Sequence, residues 1–158
     1  MLDDGGAVAY YLPIALKPVL VMPLVSRKGI LAIAAVIDVA VNAQTRPVSA
    51  KALAARHNLP PRHLEPVLQA LVHDGILRGI RGPHGGYELA REHCEITADA
   101  ILRAARAAED AEAQADLPCS RLVKEVVRNA LIEAERTFSI ALSEITITDL
   151  MQQAEALD

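Results

Sequence analysis

Aromatic residues are nearly missing from this chain, which has no tryptophan, one phenylalanine and three tyrosines in 158 residues. A core that cannot use large rings must be built from Ala, Val, Leu and Ile, which favours helix packing. Cysteine is also scarce. Cys94 and Cys119 are the only two, too few for a disulfide framework, and no signal-peptide pattern is present, so a reducing cytoplasm is the expected setting. Long hydrophobic runs are absent as well. Tyr10 to Val21 is apolar but broken by Pro13, Lys17 and Pro18, whereas a spanning helix needs about 20 apolar residues. The chain shows no internal repeat and no low-complexity tract beyond alanine enrichment. It offers no nucleophile–base pair, no metal-ligand set and no carboxylate pair in a plausible pocket, so an enzyme is the weakest reading. The glycine-rich stretch at residues 81–86 lacks the Gly-Lys-Ser/Thr ending of a P-loop, and no helix follows it to cradle a phosphate.

The net charge of −4 argues against a nucleic-acid binder until it is divided along the chain. Residues 22–93 hold nine Lys/Arg against five Asp/Glu, a balance of +4, together with four of the histidines and His93 at the boundary. Residues 94–158 hold six against thirteen, a balance of −7. The division suggests a basic reading half and an acidic half kept away from phosphates.

What organises the chain is Val48 to Leu89. Ser49 is placed to cap a helix ending near His57, and Asn58-Leu59-Pro60-Pro61 is turn chemistry. A second helix starts at the proline pair, where no helix hydrogen bond is needed, and stops at Gly75. Leu64, Val67, Leu68, Leu71 and Val72 recur at helical spacing as its buried stripe, leaving Arg62, His63, Glu65 and Gln69 on or near the outer side. The segments Ile76–Ile80 and Tyr87–Ala90 read as a hairpin with a tight tip permitted by Gly82, Gly85 and Gly86. A short helix, a turn and a helix with an exposed polar start form the helix-turn-helix plan for the major groove, with the hairpin as its wing.

Ahead of this unit, Ser26 caps a helix to about Ala43, with Ile30, Ile33, Val36, Ile37, Ala40 and Val41 on one face. Residues 1–21 read as an upstream start or a poorly ordered extension, with a functional arm as the alternative. After the wing, Thr97 caps a helix from Ala98 to about Ala107, and residues 108–116 either stay helical or loop out. A long helix begins near Pro118. Its stripe (Cys119, Leu122, Val123, Val126, Val127, Ala130, Leu131, Ala134, Phe138, Ala141, Leu142, Ile145) persists for about 27 residues, roughly 40 Å. Such a helix outruns the small domain beside it. Either a second copy covers its apolar face, making a two-fold dimer, or it folds back over its own domain. Thr146 and Asp149 resemble a capping box opening a last helix to about Leu157.

The expected architecture is therefore mainly α: a winged helix-turn-helix DNA-binding domain at 22–93 with a two-stranded wing, then a helical region at 94–158 carrying a long C-terminal dimerisation helix. Arg62 is the best candidate for a guanine or a phosphate, with His63 as a second donor. Glu65 either accepts from a cytosine or pairs with Arg62. Pro66, five positions into the helix, implies a distorted first turn or a later start. Arg27, Lys28, Ser49 and Lys51 are candidates for the DNA backbone. In the wing, Arg81 and His84 reach either a minor groove, whose potential attracts arginine, or phosphates.

The residues VSRKGILAIAAVIDVA, LPPRHLEPVLQALVHDGIL and RGPHGGYEL resemble the Rrf-two family of bacterial winged-helix transcriptional regulators, over about Leu24 to Leu157. The resemblance implies a homodimer, joined through the long helix, on a palindromic operator. It maps recognition-helix contacts onto Pro61, Arg62, His63 and Glu65, and a minor-groove arginine onto Arg81. Iron–sulfur members carry three cysteines between the wing and the long helix, and here only Cys119 matches, as the last of the three. One matching thiolate per chain does not supply the four ligands a cluster takes, so no cluster is expected. A zinc site from His93, Cys94 and Cys119 lacks a fourth ligand of suitable spacing. Cys119 is either a redox-active thiol near a helix start or a buried inert residue. The reading is a regulator, with a repressor favoured and its effector unidentified. Its competitors are a cluster- or thiol-based sensor of the same fold and a winged-helix module for protein assembly.

Overall fold

Ser26 opens the first helix, α1 (Arg27–Asn42), by accepting a 3.0 Å hydrogen bond from the Gly29 N–H through its hydroxyl. A computed structural model describes residues 25–110 and 121–157. The expectations for residues 1–21, for the acidic segment after Asp110 and for Cys119 lie outside the described residues. Two further helices, α2 (Ala50–Arg56) and α3 (Pro61–His73), follow with the anticipated caps: Ser49 Oγ accepts from Ala52 N at 3.1 Å, and Pro61 takes the first helical position. Between them Asn58 adopts φ +52, a left-handed turn that Asn tolerates better than most residues. Gly75, at φ +67, ends the exit from α3 as expected.

The wing is an antiparallel pair, β1 (Leu77–Ile80) and β2 (Gly86–Leu89), in register Leu77↔Leu89 and Gly79↔Tyr87. A short 3₁₀ turn (His93–Glu95) leads into α4 (Ala98–Asp110), where Thr97 Oγ1 accepts from Ala100 N. The long helix is described from residue 121, passes through a π turn at Val123–Val127 and continues as α5 (Arg128–Ser143). Last comes α6 (Ile147–Glu155), whose Thr146–Asp149 capping box is complete in both directions. Ala98 N donates to Ile145 O and Ile147 N to Ile96 O, so the entries to α4 and α6 are stitched together.

The core gathers Leu53, Leu64, Leu68, Leu71, Ile76, Leu77, Ile96, Ile101 and Ile147 around α1, and no aromatic side chain among the described residues is fully buried. Helix α4 sits at the centre of the packing, against α1 on one side, α3 on another and α5 on a third.

Three expectations need correction. The buried face of α1 is Ala32, Ala35, Val36 and Val39, while Ile30 is 45% exposed and Ile33, Ile37, Ala40 and Val41 are only partly covered. Small residues win there because α4 approaches closely: a Cβ on Gly29 would lie 2.7 Å from Leu102 Cδ2. Val72 does not join the buried stripe of α3 and is 37% exposed, since Leu71 already fills the inward position one residue before it. The long helix is not a uniform α-helix. The π turn takes in an extra residue, so the threes-and-fours stripe read across Val123–Val127 does not stay on one face.

Candidate nucleic-acid interface

Helix α3 turns Leu64, Val67, Leu68 and Leu71 into the core, and this fixes what its other side can present. Pro61, Arg62, His63 and Glu65 are all exposed at its N-terminal end. Pro66 lies inside the helix, and the first turn tightens: His63 N donates to Pro60 O, a three-residue step. The helix therefore begins at Pro61 with a distorted first turn, the former of the two options that Pro66 left open. Pro66 has no N–H to offer the Arg62 carbonyl, so the ordinary four-residue helix bond to that carbonyl is missing at the exposed end. The amide end of the helix also carries the positive pole of its dipole, which favours a phosphate.

Arg62, His63 and Glu65 make no hydrogen bond or ion pair with any described residue. Glu65 does not pair with Arg62, so both are left for an outside partner. Arg27, Lys51, Arg81 and His84 are exposed and equally unengaged. Lys28 is half-buried, and the Ser49 hydroxyl already accepts from the α2 backbone, which leaves only its proton for a phosphate. By contrast the strand arginine Arg78 is spent on Glu88 across the hairpin at 2.8 Å, and Arg91 Nε donates to Gly75 O. Among the described residues, Arg62 at the start of α3 and Arg81 at the wing tip are thus cations without an ion pair.

What joins the wing to the reading helices is a third extended segment. Val48 N donates to Tyr87 O at 3.0 Å and Tyr87 N to Val48 O at 2.8 Å. Val48 immediately precedes the α2 cap, so the wing and the helix-turn-helix share one set of backbone hydrogen bonds. Gly86 makes that approach possible: a Cβ there would meet the Val48 carbonyl carbon and oxygen at 2.5 Å. Of the three glycines expected at the tip, only Gly82 serves through its backbone angle, at φ +120. Arg46, exposed and without an ion pair, lies two residues before this junction and was not anticipated. Its signal, a lone arginine before a proline in a polar loop, is too common to single out.

A second unanticipated group braces α2 against α1. Asp38, whose side chain is only 8% exposed, receives Arg56 Nε at 2.8 Å and Nη2 at 2.5 Å. Asn42 Nδ2 adds a third donor at 3.1 Å. His57 Nε2 lies 3.2 Å from the same carboxylate but at an angle that makes no hydrogen bond. The carboxylate holds the Arg56 guanidinium above its usual pKa, chiefly through the hydrogen bonds. Arg56 and His57 end α2, so this brace sets where the turn into α3 begins.

The long helix, from residue 121 through the π turn and α5, offers a different surface. Leu122, Val126 and Leu131 are each about 60% exposed, and Val127, Ala130, Ala134 and Ala141 are also open. Phe138 is half-buried and turns toward α4 of its own chain. Cys94 is exposed in the 3₁₀ turn beside the wing, and His93 Nδ1 lies 2.7 Å from Thr148 Oγ1.

A basic, unpaired helix start beside a braced wing is the geometry of a DNA reader, and comparison with known proteins agrees. The Rrf2 family model, described as "Iron-dependent Transcriptional regulator", matches residues 25–153. The chain belongs to the Rrf2 family. Among curated relatives, the HTH-type transcriptional regulator IscR of Vibrio atlanticus is 27% identical over 132 residues, covering 83% of this chain and 76% of that protein. Protein rrf2 of Nitratidesulfovibrio vulgaris is 29% identical over 120 residues, covering 75% and 80%. Among solved structures, T. potens IscR matches with a TM-score of 0.65 at 29% identity, over 85% of this chain and 90% of that one. CymR, the global cysteine regulator of B. subtilis, matches at 0.61 and 27% identity, over 82% and 96%. This member of the Rrf2 family is a winged-helix transcriptional regulator and not an enzyme. Among its described residues no helix is long and apolar enough to cross a membrane.

Proposed function

We propose that the chain acts in the cytoplasm as a homodimeric repressor that binds a palindromic operator without an iron–sulfur cluster. The observation that carries the reading is the set of unengaged Arg62, His63 and Glu65 at the exposed start of α3, with Arg81 and His84 at the wing tip. Arg62 donates to a guanine edge, His63 adds a donor, Glu65 accepts from a cytosine amino group, and Pro61 sets the approach of the helix end. Arg81 enters the minor groove, and Arg27, Lys28, Ser49, Lys51 and His84 hold phosphates on either side. Two-fold pairing rests on the exposed apolar residues of α5, which leave a wide surface for a second copy to cover. The case against a resident cluster is the donor set: Cys94 and Cys119 are the only thiols, short of the four ligands a cluster takes. Among the described residues no group of three or more His, Cys, Asp and Glu is arranged to hold a metal.

The test is selection of bound genomic fragments by purified protein, followed by titration of the enriched sequence at several salt concentrations. The reading expects a dimer on two half-sites and an affinity that falls steeply with salt. Arg62→Ala weakens the enriched site by about 1–3 kcal/mol and relaxes discrimination at one base pair. Lys51→Ala lowers the salt slope by about one without changing sequence preference. A monomer, or a protein that retains no fragment at low salt, refutes the reading.

A further inference from the structure

Helices α4 and α5 do not close on each other. Between them lies a cleft of about 420 Å³, within the range of about 300–1,000 Å³ usual for small-molecule sites. Its walls are Leu102, Ile132, Phe138 and Leu142, so the only phenylalanine of the chain is spent here and not in the core. Its charges are arranged unevenly. Asp99, nearly buried, is held by Ser139 Oγ at 2.5 Å and Arg103 Nε at 3.0 Å, and Glu135 is paired with Arg106. Both carboxylates are therefore neutralised by their own arginines. Arg136 lines the same cleft and has no partner among the described residues.

We propose that the α4–α5 cleft binds a small organic monocarboxylate with a compact apolar body, and that this ligand is the effector of the regulator. The occupant follows from the lining. An apolar body removes the exposed faces of Phe138, Ile132 and Leu142 from water, and its carboxylate supplies Arg136 with a counter-charge that no described residue gives it. A dianion would bring a second charge for which the cleft has no unengaged cation among the described residues, and a neutral ligand would gain nothing from Arg136. The effect on DNA follows from position, and this consequence rests on the reading of the chain as a dimeric DNA regulator. Helix α4 carries the cleft on one side and packs on α3 with another, while α5 carries the dimer face. A ligand wedged between them favours one α4–α5 angle over others, and with it one spacing of the two reading helices.

Absence of tryptophan makes the site simple to probe. Indoleacetate, excited beyond the tyrosine band, reports its own environment without background from the full-length protein, and tryptophol is its uncharged counterpart. The proposal expects a saturable change in indole emission and affinity for indoleacetate about threefold to fivefold above that for tryptophol, as an ion pair with an exposed arginine provides. Arg136→Gln, at an exposed position where folding is not at risk, removes that difference and leaves tryptophol binding unchanged. Phe138→Leu weakens both probes. No saturable change, or equal binding of both probes, or an Arg136→Gln variant that binds indoleacetate like the wild type, overturns the site. A cleft filled by the second copy in the dimer gives the first of these results. With a selected DNA fragment, saturating indoleacetate shifts the apparent affinity at least threefold in the wild type and not in Arg136→Gln, and no shift overturns the effector role. The emission titration contains no DNA, so it decides the cleft even where DNA binding itself fails.

Discussion

Replacing Gly86 by alanine tests the claim that the wing and the reading helices form one rigid unit. The added Cβ would sit 2.5 Å from the Val48 carbonyl carbon and oxygen and 2.8 Å from Ser49 N. These are backbone atoms, held by the two Val48–Tyr87 hydrogen bonds, so no side chain can swing aside to make room. Relief requires β2 to move away from Val48, which weakens both bonds at about 0.5–1.5 kcal/mol each. Retaining them instead means overpacking, at about 1–3 kcal/mol. Either route destabilises by about 2 kcal/mol, a drop in Tm of about 4–8 °C for a domain of this size. Gly79 is an internal control in the same hairpin, since a Cβ there meets nothing within 4 Å. Gly79→Ala should change stability by no more than about 0.5 kcal/mol. Urea unfolding of the two variants beside the wild type gives the answer, and DNA affinity should fall further in Gly86→Ala because the wing loses its fixed angle. Equal stability of Gly86→Ala and Gly79→Ala would refute the reasoning.

Asp38→Asn should destabilise by about 1–2 kcal/mol, less than the loss of a buried pair because the Arg56 side chain is 42% exposed. A double-mutant cycle with Arg56→Gln should return a coupling above about 0.5 kcal/mol by urea unfolding, and additivity would show that the brace does not act as a pair. Leu131→Asp, at a position 63% exposed in the protomer, should shift sedimentation toward monomer while helicity by circular dichroism is retained; an unchanged dimer would remove α5 from the interface. Asp149 is held below its ordinary pKa by hydrogen bonds from the Thr146 hydroxyl and backbone N–H. Its contribution to α6 is therefore full above the ordinary carboxylate pKa and lost as pH falls through the lowered value. Amide exchange in α6 should accelerate over that acid window in the wild type and show no such step in Asp149→Asn, and parallel profiles would contradict the capping argument.

Local signals carried most of the secondary structure. Caps at Ser26, Ser49, Thr97 and Thr146, the Asn58–Pro61 turn and the Gly75 stop all depend on contacts within four residues, so a sequence displays them directly. The buried face of α1 did not follow from the same rules. Its bulky residues suggested one stripe, but packing against α4 selected Ala32, Ala35 and Val39, because helix separation depends on a partner about 70 residues away. The π turn at Val123–Val127 was equally hidden, as a regular periodicity count assumes the regular helix it is meant to detect.

The interface divides along the same line. The exposure of Arg62, His63, Glu65 and Arg81 was legible because each is polar at a place where the local pattern turns the apolar residues inward. The groups that hold them in position were not. Asp38 is a single acid in an apolar helix, and only the fold brings it to Arg56, 18 residues on. Val48 looked like the residue before a cap, and only the fold makes it an isolated bridge partner of Tyr87 at the edge of the wing. Arg136 was one charge on an acidic helix until the pairing of Arg103 with Asp99 and Arg106 with Glu135 left it as the cation of the cleft without a counter-charge. The residues proposed to read DNA face solvent, where sequence neighbours decide exposure, whereas the bracing residues face other elements. It follows that substitutions at Asp38 or Gly86 should alter DNA binding without touching DNA, that Arg136→Gln should do so only where the cleft ligand is present, and that all three should leave the salt slope unchanged because no phosphate contact is removed.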